Sequence, residues 1–79
     1  MIHARDDYNR IQDPENLIPA DEPVFLLRGQ DKFAAEVVRY WADLVADATG
    51  DTELFEVAYT HADRMDDWPT KKIPDLKGE

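Results

Sequence analysis

The chain has 79 residues, with eighteen acids against nine bases, no cysteine and a formal net charge of -9. The missing thiols exclude disulfides, a thiol nucleophile and cysteine-ligated zinc, and the absence of serine excludes the serine triad. A negative charge of this size opposes binding to nucleic acid or anionic lipid and favours a basic protein surface. The length is that of one domain, 1–79. No stretch approaches the ~20 apolar residues that span a bilayer, and no basic region precedes an apolar run as in a signal peptide. The expectation is a soluble protein of the cytoplasm with no direct contact to nucleic acid or membrane.

Apolar residues make up 43% of the chain and concentrate between Val24 and Trp68. Residues 1–23 read as an irregular N-terminal arm containing Ile2, Tyr8 and Ile11. Within it, Asp13-Pro14-Glu15 resembles a helix start, which Pro19 stops after about one turn. Val24 to Arg28 is a compact apolar run ended by Gly29. It predicts a short strand or extended segment, whose only candidate partner lies near Ile2 to Arg5.

Asp31 is placed to cap the next helix. Phe33, Val37, Tyr40, Trp41, Leu44 and Ala48 then recur at steps of three and four, which predicts one buried apolar face. Glu36, Arg39 and Asp43 fall on the opposite side at ion-pairing distance along the helix. Gly50 reads as the stop, and Asp51 or Thr52 opens a second helix with Glu53 in its first turn. Leu54, Val57, Ala58, His61, Met65 and Trp68 keep the same spacing, and Pro69 ends it. Two amphipathic helices joined this closely must run antiparallel with their apolar faces together. The predicted fold is mainly α, or a small α+β: an antiparallel helical hairpin with one short extended segment. Strand and hairpin form a core over 24–68. A flexible tail follows over 69–79, where Ile73 and Leu76 are the only residues placed to dock on the hairpin.

Chemical equipment is scarce. Three glycines, at positions 29, 50 and 78, build no phosphate loop. His61 lacks a second ligand at i+3 or i+4, where Arg64 and Met65 stand, so it reads as a partly buried structural residue. His3 reads as solvated. Counted from Asp47, the EF-hand positions 3 and 6 hold Thr49 and Thr52, and the calcium-loop pattern fails. The sequence therefore points away from an enzyme, a metal site and a cofactor.

Charge placement carries more information. Between Ala42 and Ala62 there is no base at all. On the hairpin, Asp43 and Asp47 close the first helix while Asp51, Glu53 and Glu56 begin the second. Five carboxylates thus gather at the turn end. They read as a solvated acidic face, or as phosphate surrogates for a basic groove, since like charges this close cost stability until a partner neutralises them. Phe55 and Tyr59, four apart and off the main stripe, are the candidate apolar contact beside them. The partner-binding set is Asp43, Asp47, Asp51, Glu53, Glu56, Phe55 and Tyr59.

The run Ile18-Pro19-Ala20-Asp21-Glu22-Pro23-Val24-Phe25-Leu26-Leu27-Arg28-Gly29-Gln30-Asp31, with the helix ending in Trp41-Ala42-Asp43-Leu44, resembles small proteins encoded by phages and prophages. The similarity covers about Ile18 to Trp68. Size, acidity and lack of catalytic groups are similar to those of the small anti-CRISPR proteins, type I inhibitors in particular. That resemblance implies a stoichiometric inhibitor in the bacterial host cell, binding the basic DNA-holding surface of a crRNA-guided Cascade-type complex. It carries over no functional residue. The alternative is a helical assembly module of a phage that dimerises or docks through an apolar stripe. As a free species the chain is expected to be a monomer or a weak dimer.

Overall fold

The computed structural model describes residues 1–5 and 11–76; what the sequence suggests for 6–10 in the arm and for 77–79 in the tail lies outside them. The chain forms two compact units, Met1–Leu27 with Asp75–Glu79, and Arg28–Pro74. The first holds a parallel two-stranded pairing of β1 (Ile2–His3) with β2 (Pro23–Val24), in the register Ile2↔Pro23 and His3↔Val24. The Ile2 N–H also donates to the Glu22 carbonyl at 2.6 Å. Of the extended run foreseen over Val24 to Arg28, Val24 belongs to this ladder among the described residues. β1 is two residues long, so among the described residues the ladder does not extend to Phe25.

The expected helix at Asp13 is instead a capped turn. The two carboxylate oxygens of Asp13 accept from the N–H groups of Leu17 and Ile18, each at 2.9 Å. Asn16 takes a left-handed φ of 54°, which its short polar side chain tolerates. Ile18 precedes Pro19, a position that disfavours helical backbone, and the turn goes no further. His3, expected in solvent, is half-buried with an unpartnered Nδ1.

The second unit is the helical hairpin, α1 (Ala34–Thr49) and α2 (Thr52–Asp67). Asp31 does not cap α1, which starts at Ala34 with no side-chain cap. Its Oδ1 accepts from the Phe33 N–H at 2.8 Å, while its backbone forms a parallel bridge with Lys72. The chain is extended there, so helical geometry begins only after the bridge. Gly50 ends α1 at φ 71°, a left-handed conformation free of strain only for glycine, and donates to the Ala46 carbonyl. Asp51 caps α2 as expected, accepting from the Leu54 N–H at 2.9 Å. α2 stops before Trp68 and Pro69.

The seam between the helices keeps Ala58 and Met65 of the predicted α2 stripe but none of the predicted α1 stripe. Ala35 and Ala42 of α1 are buried, with Val38, Val45 and Ala46 half-buried along the same side. They face Ala58, Ala62 and Met65 of α2. The foreseen stripe of Val37, Tyr40, Trp41, Leu44 and Ala48 is exposed throughout, Trp41 at 48% and Tyr40 at 66%. Leu54, Val57 and His61 of α2 and Trp68 just beyond it are likewise exposed, so His61 is not the partly buried residue expected. A two-residue connection holds the helices close, and close approach selects small side chains for the contact. Large residues then have only one layer to pack on.

The segment after α2 is held by hydrogen bonds, not by the apolar docking considered for Ile73 and Leu76, both of which are exposed. The Lys32 N–H donates to the Lys72 carbonyl, and the Lys72 N–H donates to that of Gln30. The Lys71 ammonium donates to the carbonyls of Gly29 and Met65. It thereby places a cation at the C-terminal end of α2, where the helix dipole favours one. No helix is long and apolar enough to cross a membrane among the described residues.

Candidate partner-binding surface

The hairpin has two unlike flanks. On one, Arg39 leaves its predicted local partners Glu36 and Asp43 and reaches across the seam to Asp63 at 2.8 Å and Asp66 at 2.7 Å. Four residues on, Asp43 accepts a 2.8 Å hydrogen bond from the Tyr59 hydroxyl. Positions that ascend along α1 meet positions that descend along α2, which fixes the antiparallel pairing. Arg39 binds its proton more tightly than a free guanidinium, chiefly through the hydrogen bond to Asp63 and then that to Asp66. These pairs are solvent-exposed, so screening by water keeps their contribution to stability small.

Phe55 and Tyr59 belong to this seam. They are half-buried and stacked on one another, with ring centroids 4.3 Å apart and an interplanar angle of 29°. They are therefore not the exposed apolar contact foreseen, because each ring is covered in part by the other and Tyr59 spends its hydroxyl on Asp43 across the seam. Tyr59 titrates above the usual tyrosine value, first through that hydrogen bond and then through desolvation. The folded state thus favours the protonated phenol. Its contribution is complete below the unfolded pKa of about 10 and is lost as pH rises through the higher folded value. Melting temperature should accordingly fall less steeply above about pH 10 in Tyr59→Phe than in the parent chain, as read from thermal scans against pH.

The five turn-end carboxylates are all exposed, but they are not equivalent. Asp43 is engaged by Tyr59 and Asp51 by the α2 cap. Asp47, Glu53 and Glu56 have no hydrogen-bonded or ionic partner among the described residues, which leaves them available to a cation. No group of three or more His, Asp or Glu that could hold a metal ion occurs among those residues.

The opposite flank is an open groove of about 680 Å³ floored by Val38, Trp41, Leu54, Val57 and Ala58. Glu53 and Glu56 stand on its rim toward the turn, His61 and Arg64 toward the other end. Sequence reasoning assigned Trp41, Leu54, Val57 and Ala58 to the core and so missed the groove. The signal that marks it is the surplus of large apolar positions on helices whose alanines already supply a seam. Comparison of the chain with protein families, with curated proteins and with solved structures gave no match.

Proposed function

We propose that this chain is a non-enzymatic inhibitor, anti-CRISPR-like and phage-encoded, whose acidic hairpin end binds the basic DNA-holding surface of a type I crRNA-guided complex. The supporting observation is the turn end, where Asp47, Glu53 and Glu56 are exposed and uncompensated in a stretch that holds no base between Ala42 and Ala62. Carboxylates on two adjoining helix ends present anionic groups to lysines and arginines much as successive phosphates do. Asp43 and Asp51 add charge while keeping their structural bonds. The apolar contact assigned by sequence to Phe55 and Tyr59 passes to Trp41, Leu54 and Val57, which are the exposed large residues beside the acids.

Target-DNA binding by a purified type I complex, measured by mobility shift with and without the protein, tests this reading. Inhibition should weaken steeply as salt rises, because exposed charges are screened over ~10 Å at 0.1 M. Asp47→Lys with Glu56→Lys should abolish inhibition at unchanged helicity. Full inhibition by that double variant would defeat the assignment.

Exposure of Val37, Tyr40, Trp41 and Leu44 favours the second reading, an assembly module that docks through its apolar face. Its partner affinity would be nearly insensitive to salt.

A further inference from the structure

We infer that the groove face is a self-association surface, which receives α2 of a second copy in antiparallel orientation. The inference shares Glu53, Trp41, Leu54 and Val57 with the contact of the inhibitor reading, and it is tested separately from that reading, through the Glu53–Arg64 pair and not through Asp47.

Glu53, Val57, His61 and Arg64 follow one another at steps of four, four and three, and so form one stripe along α2. All four are exposed and all line the same groove as Trp41 of α1. The stripe is dipolar, with a carboxylate at its N-terminal end and a guanidinium at its C-terminal end. Arg64 is the only base within α2, which carries five acids. It nevertheless makes no ion pair among the described residues.

A two-fold axis midway along α2 places Glu53 opposite the partner's Arg64, and Arg64 opposite the partner's Glu53. The same operation sets Val57 against the partner's Thr60 and His61 against the partner's Glu56, with Trp41 and Leu54 of each copy closing over the joint. Such an isologous contact is the commonest form of homodimer symmetry. A parallel arrangement would set Glu53 against Glu53 and is disfavoured. A uniformly basic helix satisfies the Glu53 end but meets like charge at Arg64. A second copy satisfies both ends at once.

Sedimentation velocity on the full chain across the micromolar range, at fixed moderate salt, tests this. A concentration-dependent shift from monomer to dimer is expected. Glu53→Arg alone and Arg64→Glu alone should each weaken the dimer roughly tenfold, since two attractive contacts become two repulsive ones. The swapped variant Glu53→Arg/Arg64→Glu should return to near the parent affinity, and Trp41→Ser should abolish dimerisation. Far-UV circular dichroism verifies that each variant keeps its helices, and recovery in the swap shows that the loss in the singles comes from charge pairing. A monomer at every concentration overturns the inference, as does a swap as weak as its parents. A monomer that takes up an amphipathic lysine–leucine peptide would assign the groove to a basic helix and also overturn it.

Discussion

Replacing Ala62 with leucine is expected to destabilise the hairpin by about 1–3 kcal/mol, more than any change to its exposed aromatic residues. Ala62 is fully buried, as are Ala34 and Ala42 of α1. Three added heavy atoms at that point have no void to enter, so either the helices separate or the side chain leaves its rotamer. For a chain of 60–100 residues, each kcal/mol moves the melting temperature by roughly 4–8 °C. Thermal unfolding followed by circular dichroism measures the shift. A melting temperature unchanged by the leucine would mean that the alanine seam is not the contact between the helices.

Met65→Ala should be costlier still, about 2–5 kcal/mol, because it deletes the largest side chain in the core. Met65 is the only buried residue larger than alanine among those described. Its backbone roles survive the substitution, since the Met65 carbonyl still accepts from the Trp68 N–H and from Lys71. The loss therefore reports side-chain packing alone. At 0.05–0.15 kcal/mol per residue the whole chain has roughly 4–12 kcal/mol of stability, so this one substitution removes a large share of it. Urea titration gives the difference directly, with an unchanged slope expected if only packing has been lost. A midpoint equal to that of the parent would show that Met65 contributes no core.

Together these two results would place the packing of the hairpin on its alanine seam and on Met65. The large exposed residues, Trp41, Leu44 and Val57, are then free to be read by a partner. Trp41→Ser should accordingly change association far more than stability.

Much of the architecture was legible in local chemistry. Gly50 stops α1 because only glycine takes its left-handed backbone without strain. Asp51 starts α2 because its carboxylate reaches an N–H that the helix leaves unpaired. The connection between them is too short for anything but an antiparallel return. Even the pairing of the Ile2 segment with the run that begins near Val24 followed from there being no other partner. Each of these signals acts within a few residues, so the sequence by itself contains it.

Which face of each helix turns inward is a different kind of question. By hydrophobicity alone, Val37, Tyr40, Trp41 and Leu44 outweigh Ala35, Val38, Ala42 and Val45, and the first stripe was the natural choice for the core. Packing decides otherwise, because two closely joined helices gain most where their backbones approach, and alanine permits that approach. The same choice set Tyr59 across the seam from Asp43, sent Arg39 across to Asp63 and Asp66, and left Arg64 at the end of a groove with no ion pair among the described residues. The bulk charge of -9 was fixed by composition. Only the tertiary structure separated the carboxylates that cap and brace the hairpin from those free to meet a cation, since that depends on what each residue faces across a seam no single helix defines.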